Sequence, residues 1–367
     1  MSETMNQKPH PLATILESIL GIIASVLVLL ALIIAPYHPV DTARDYGILN
    51  PLGIHDPIPN IVHFVYIKTV FSSILFVKPS KVYVHTDFST HEIEYAAQYG
   101  TRWTRKLLNS WPGLILWNPV HVASFSGPND NNRIDAVQHK SDFIRWETIA
   151  KYGGVYMDFD VIVLKPLAPL MNAGFGFVAG RQYGGKDEGG QINGTINNGA
   201  FLTKRNSAMS TIIRQEQHAG FNGAWEANLQ SMTKTAEYLV NIPNQVLILD
   251  RNAFAPTHWF PESTDALFIP NEGPASPIPL ESNSADPIEL YDIVVQNRRS
   301  RREWEMDFSA TYMLHAFATG KYSDRINPRT ILSRTSNYGI ATYHVIKAMV
   351  EQGLVNGTEE DSDDDSS

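Results

Sequence analysis

A helix-forming run that stops at two glycines and turns at once into an apolar strand fixes the middle of this chain. Residues 138–152 space Phe143, Ile144, Ile149 and Ala150 among Lys140, Asp142, Arg145 and Glu147, the pattern of a helix with one buried stripe. Gly153 and Gly154 end it, because glycine enters left-handed backbone conformations without a side-chain clash. Residues 155–164 are then rich in β-branched and aromatic side chains, as an interior strand packed under helices requires. Helix followed directly by strand is the order of an α/β domain built on a parallel or mixed sheet.

Two carboxylates interrupt that apolar strand. Asp158 and Asp160 are two apart, so in extended chain both leave the same face while Phe159 points to the other. Like charges at the edge of a hydrophobic strand repel and lose solvation, and a cation between them relieves both effects. Oxygen ligands of this kind suit Mg²⁺ or Mn²⁺ and leave coordination positions for water and a substrate phosphate. Such a cation opposes the negative charge that develops on a departing diphosphate. The plainer alternative is that Asp158 and Asp160 mark a strand end near the surface. The pair alone names no substrate.

The run from His139 through Asp142, Arg145, Gly153, Gly154, Tyr156, Asp158 and Asp160 to Pro166 resembles the donor-sugar-binding region, with its Asp-x-Asp motif, of glycosyltransferase family 32. Relatives there include fungal mannosyltransferases and α-1,4-galactosyl or N-acetylglucosaminyl transferases. The resemblance takes in Ile58, Pro59 and His63 upstream and Asn197, Asn198 and Gly199 downstream, over residues 55–325. It implies a GT-A-type nucleotide-sugar-binding fold, α/β with a mixed central sheet, whose first strand covers 58–67 and second 81–85. In an open sheet of this kind the ligand sits beyond the carboxyl ends of the strands, where Asp158 and Asp160 fall.

The same resemblance assigns roles. Asp158 and Asp160 would ligate Mn²⁺ or Mg²⁺, with His315 as a third ligand. Asp142 would contact the ribose or sugar of the donor, and Arg145 would pair with Asp142 or touch the donor. His63, Gly154 and Tyr156 would line the nucleotide side. Asn198, with Asn197 as the alternative, would hydrogen-bond a hydroxyl of the transferred sugar. Each has a structural counter-reading: Asp142 and Arg145 as an intrahelical ion pair worth only a few tenths of a kcal/mol, His315 as a core aromatic, the asparagines as turn formers, and His139 and Lys140 as exposed groups near a helix start. The implied activity is retaining transfer of a hexose from a nucleotide sugar, GDP-mannose first among donors, to a glycan or glycolipid hydroxyl. UDP-galactose and UDP-N-acetylglucosamine are alternative donors. A noncatalytic carbohydrate-binding protein and a nucleotide-sugar hydrolase are the rival classes.

Residues 12–35 are almost continuously apolar. As a helix, residues 18–35 would span about 27 Å, close to the roughly 30 Å hydrocarbon core of a bilayer. Pro36, Tyr37, His38 and Pro39 make a poor signal-peptide cleavage site, which favours an uncleaved anchor. The expected layout is a cytosolic tail over 1–11, a transmembrane signal anchor over 12–35, a stem over 36–54, a catalytic domain over 55–350 and an acidic disordered tail over 351–367. The family implies a single-pass type II Golgi membrane protein with a luminal catalytic domain, within reach of a transferase complex. Sequons at Asn193 and Asn356 permit glycosylation there.

The chain has no cysteine, which removes thiol and disulfide chemistry. Its formal charge is −9, but Glu359, Glu360, Asp361, Asp363, Asp364 and Asp365 carry six of those negatives in the tail. Nothing points to nucleic acid: Arg298, Arg299, Arg301 and Arg302 form a single basic cluster without a reader motif. That cluster suits either an anionic surface or a solvated helix start. Residues 180–195 read as a loop, a candidate acceptor rim or lid. Residues 249–287 read as irregular, with Phe254, His258, Trp259 and Phe260 able to stack on a sugar or to cover the core. The last helix is expected to end over 344–351.

Overall fold

The structure, a computed structural model, describes residues 57–63, 67–86, 88–120, 125–126, 132–183, 194–224, 227–280, 284, 286–317 and 319–358. Its strands in chain order are β1 (Ile61–His63), β2 (Lys81–Thr86), β3 (Ile115–Pro119), β4 (Phe125–Ser126), β5 (Asn132–Arg133), β6 (Gly154–Met157), β7 (Val161–Val163), β8 (Phe177–Arg181), β9 (Ile196–Thr203), β10 (Val246–Leu249) and β11 (Met313–His315). Seven form one sheet in the order β10-β8-β9-β6-β1-β2-β3. The strands β3, β2, β1 and β6 run parallel, β9 is antiparallel to both β6 and β8, and β10 is parallel to β8. The sheet is therefore mixed, and it fits the GT-A-type architecture that the sequence led us to expect.

Period-two alternation distributes the side chains over two faces. Val155 and Met157 of β6, Val178 of β8 and Ala200 and Leu202 of β9 point into one core, which also takes in Val161, Val163, Met313 and Leu314 and the final helix Asn337–Glu351. Tyr156, Phe177, Ala179 and Phe201 point into the other, under the helix Val137–Tyr152. There Trp146 stacks on Phe201 at 4.7 Å and Phe201 on Tyr156 at 5.1 Å. Fully burying each such ring is worth roughly 1.5–3 kcal/mol, so this stack holds the long helix rigidly against the sheet's middle.

The helix ends as its glycines require. Gly153 has φ +66° and caps it by donating to Ile149 O at 2.8 Å. Gly154 has φ +111°, and a Cβ there would lie 2.6 Å from Ile61 O. This pair thus turns the chain and lets β6 close on β1.

Several expectations need correction. The strand anticipated over 155–164 is broken: residues Asp158 to Asp160 turn, Val161 N donates to Asp158 O at 3.1 Å, and β7 leaves the main sheet to pair with β11. The two carboxylates are therefore brought together by a turn and not by strand alternation. Residues 58–67 give only the short β1, with a helix starting at Ile67 and 64–66 outside the described residues. Residues 249–287 hold two helices, Arg251–Phe254 and Pro261–Phe268. Asn197, Asn198 and Gly199 lie within β9 instead of in a turn. Of the expected loop 180–195, residues 184–193, including the Asn193 sequon, lie outside the described residues, whereas Asn356 is described and exposed. Two arginines of the basic cluster are tied internally, Arg298 to Asp307 at 3.0 Å and Arg301 to the same carboxylate at 2.9 Å. Among the described residues no helix is long and apolar enough to cross a membrane. The expected span 12–35 and most of the acidic tail fall outside those residues.

Candidate functional site

Beyond the C-terminal end of β6 the chain places Asp158 and Asp160 on the turn, and the β7–β11 pairing delivers His315 to them. His315 lies opposite Val161 in that ladder, and Ala316 N donates to Asp160 O at 2.9 Å. One ligand atom from each of Asp158, Asp160 and His315 lies within 4.8 Å of the others, the only such acidic or histidine group among the described residues. Their side chains are 22, 11 and 9 % exposed, so the group is desolvated but reachable.

The imidazole is oriented by Asn197, expected from the sequence only as the alternative to Asn198 for a sugar hydroxyl, and by Thr257, which the sequence did not single out. Asn197 Oδ1 accepts from Gly199 N at 2.7 Å, which fixes which end of that amide is oxygen. The same oxygen is 3.1 Å from His315 Nδ1. Nδ1 must then carry the hydrogen, leaving Nε2 as the nitrogen that takes a proton or a cation. Thr257 Oγ1 holds the backbone of His315 by donating to its carbonyl at 2.7 Å. Nε2 is 3.2 Å from Asp160 Oδ1, yet that buried oxygen has no hydrogen bond of acceptable geometry. Two carboxylates and an imidazole with its far nitrogen committed elsewhere fit a divalent cation of the Mn²⁺ or Mg²⁺ type.

Arg145 braces the other flank. Its Nη2 lies 3.2 Å from Asp142 Oδ1 and 3.4 Å from Asp158 Oδ1, its Nη1 donates to Asn198 O, and its guanidinium sits 4.5 Å from the centre of the Tyr156 ring. Burial works against its charge, but Asp158, Tyr156, Asp142 and Asp160 together outweigh burial and raise its pKa. Burial likewise raises the Tyr156 hydroxyl, which stays protonated and donates to Asp158 Oδ1. For Asp158 burial is the largest influence and its pKa is raised, although Arg145 pulls the other way and Asp160 adds to the rise. For His315 burial opposes the charged form, but the Asp160 carboxylate overrides it and the pKa is raised. All four shifts are upward, as clustered carboxylates around one arginine require, and they describe a site with surplus negative charge.

Asp142 accepts from Asn198 Nδ2 at 2.7 Å. Asn198 Oδ1 is buried without a hydrogen-bond partner. Thus Asp142, Arg145, Tyr156, Asp158, Asp160, Asn198 and His315 converge. Two expected residues do not. Gly154 begins β6, at the strand end away from Asp158. His63 is buried on β1 with its Nε2 3.1 Å from where a Gly154 Cβ would stand, so its ring fills the space that glycine leaves. His139 is buried edge-on against Phe221 at 5.3 Å.

A glycine inside β9 is the signal that would have found the Asn197 contact. Gly199 marks a close approach: a Cβ there would stand 2.5 Å from His315 Cε1.

Residues 67–175 match the family described as glycosyltransferase sugar-binding region containing DXD motif. The matched stretch holds Asp142, Arg145, Tyr156, Asp158 and Asp160, and it is shorter than the 55–325 expected, leaving Asn197, Asn198 and His315 beyond its end. No curated protein matches the chain.

Proposed function

With a DXD-containing glycosyltransferase sugar-binding region in residues 67–175 as the premise, we propose that this protein is a divalent-cation-dependent, retaining glycosyltransferase. It passes a hexose from a nucleotide sugar to a hydroxyl of a glycan or glycolipid. The observation that carries this reading is the cluster of Asp158, Asp160 and His315 beyond β6, in which the two carboxylates of the matched region are joined by a histidine from far beyond its end.

Asp158, Asp160 and His315 would hold Mn²⁺ or Mg²⁺. When bound, such a cation neutralises the diphosphate of the donor and stabilises its departure. The remaining work belongs to the chain. Arg145 and Tyr156 hold Asp158 in place from behind. Asn197 and Thr257 set the imidazole's direction. Asp142 orients the Asn198 amide so that its unpaired Oδ1 would accept a sugar hydroxyl without adding charge. On the same-face mechanism that retention implies, the acceptor proton leaves on a phosphate oxygen of the donor, and no side chain is needed as base. Asp158 and Asp160 share His315 as a third ligand group and so serve one cation, a different role from the acid and nucleophile pair of a glycosidase.

The resemblance to fungal mannosyltransferases makes GDP-mannose the donor we propose, and residues 12–35 the anchor that holds the catalytic domain in the Golgi lumen. The test is turnover by the purified chain with GDP-mannose, UDP-galactose, UDP-glucose and UDP-N-acetylglucosamine, with and without Mn²⁺, against a pool of glycan and glycolipid acceptors. Mn²⁺-dependent mannosyl transfer is the expected result. Consumption of a UDP-sugar instead would move the donor, and release of free sugar at the same rate with and without acceptor would make the protein a hydrolase.

A further inference from the structure

The two flanks of the cation cluster differ in chemistry. Asp142 and Arg145 make one of them charged, whereas the flank beyond His315 is aromatic. Phe317 stacks on the His315 ring at 3.8 Å, and Trp259 meets Phe317 edge-on at 5.9 Å. Trp259 also packs on Phe260 at 5.5 Å, and Tyr183, stacked on His258 at 4.3 Å, meets Trp259 at 6.4 Å. This strip is fastened to the cation site: Thr257, two residues before Trp259, is the residue that grips His315 O.

Two features set the strip apart from ordinary core. Trp259 is 44 % exposed, while Trp146 is buried almost completely. Phe317 has φ +50°, in the left-handed region that is costly for a bulky side chain. Strain of that kind persists where the surroundings enforce it, and it gathers at ligand sites. Here it aims the ring between His315 and Trp259.

We propose that Trp259, backed by Phe317 and Tyr183, is the subsite for the acceptor, and that it takes a neutral pyranose whose C–H face lies on the indole. An uncharged sugar with one apolar face and a rim of hydroxyls matches an exposed aromatic surface that runs through Phe317 to the polar cluster at His315. Continuity with His315 places that sugar next to the centre from which the donor hexose departs. The donor belongs on the opposite flank, with its diphosphate on the cation and its ribose or sugar toward Asp142. The proposal rests on the transferase reading for the word acceptor, but sugar binding at Trp259 can be measured without turnover.

The full-length chain is tested by saturation-transfer NMR with methyl α-D-mannopyranoside and lactose, with GDP and UDP in parallel, and by acceptor kinetics with the same glycosides. Trp259→Ala is expected to remove saturation transfer to the glycosides and to raise the acceptor KM about ten-fold, equivalent to ~1.4 kcal/mol. Trp259→Phe should recover part of both. Tyr238→Ala, which removes an aromatic that is 68 % exposed elsewhere, should change neither. Glycoside binding by the wild type that Trp259→Ala abolishes, without any transfer, would support the sugar subsite and count against the transferase reading. Failure of the wild type to bind any glycoside, unchanged binding in Trp259→Ala, or a loss confined to GDP and UDP would overturn the proposal.

Discussion

Adding one methyl group at Gly199 tests whether His315 is positioned for a cation. A Cβ there would stand 2.5 Å from His315 Cε1, 2.8 Å from its Nδ1 and 3.0 Å from Asp158 Oδ2. Carbon atoms in contact settle at about 3.5–4.0 Å, so the imidazole has to retreat by roughly 1 Å. It cannot do so freely. Asn197 holds Nδ1, Thr257 holds the carbonyl and Phe317 covers the ring face. Overpacking of this sort costs about 1–3 kcal/mol. Gly199 does not have a left-handed φ, so replacing glycine also removes about 0.4–1 kcal/mol of unfolded-state freedom in alanine's favour. The net loss in Gly199→Ala should thus be about 1–2 kcal/mol by urea unfolding. Cation affinity should suffer more, by about 10–100-fold, the usual effect of disturbing groups that orient a ligand. Isothermal titration with Mn²⁺ reads it directly. Gly220→Ala is the control, because nothing lies within 4 Å of its Cβ position. Wild-type Mn²⁺ affinity in a folded Gly199→Ala protein would refute the reasoning.

Other consequences follow from the same geometry. Asp160→Asn removes one of two neighbouring negative charges, so it should abolish Mn²⁺-dependent transfer while moving the thermal midpoint little; retained turnover sinks the ligand assignment. Arg145→Leu leaves Asp142 and Asp158 without their shared cation, and urea unfolding should show a loss of about 3–5 kcal/mol that added Mn²⁺ partly restores. An unaltered midpoint would mean that the pairing contributes nothing. His63 on β1 and His85 on the neighbouring β2 are both buried, and both are held well below the usual histidine pKa, by burial first, then for His63 by His85 and for His85 by Lys151. Below about pH 6.5 the unfolded chain binds protons that the folded chain refuses, so stability falls as the pH is lowered, by up to about 1.4 kcal/mol per pH unit for each histidine. Above that pH neither contributes. Stability curves of wild type and His63→Leu between pH 5 and 8 should differ in slope by one such increment, and parallel curves would contradict the assignment.

The sequence made the central helix, its glycine stop and β2 legible because each has a local cause. Apolar spacing sets the first, backbone freedom the second and β-branched content the third. Asp158 and Asp160 were legible as a pair for the wrong local reason. Strand alternation suggested that they share a face, whereas a turn and the non-local β7–β11 ladder bring them together. His315 is 155 residues from Asp160 in sequence, so no local pattern could connect them and only the family resemblance did. Asn197 and Asn198 show the same limit more sharply. They are adjacent in β9 and point to opposite sides, one to His315 and the other to Asp142. Which asparagine does what depends on strand phase, and β9 slips phase between Ile196 and Phe201, at the register shift opposite Ala179 and Arg181. The roles expected of His63 and Gly154 came from the family resemblance. Their places reflect the close packing of β1 against β6, where the His63 ring fills the space that Gly154 leaves.

The most direct measurement is an anomalous difference map at the manganese edge from crystals of this protein grown with Mn²⁺ and the donor's nucleoside diphosphate. The account predicts a peak bonded to Asp158, Asp160 and His315 Nε2, on the side of the cluster away from Asn197, with the diphosphate completing its coordination. A diphosphate bound without metal at these residues, or manganese held elsewhere, would contradict it.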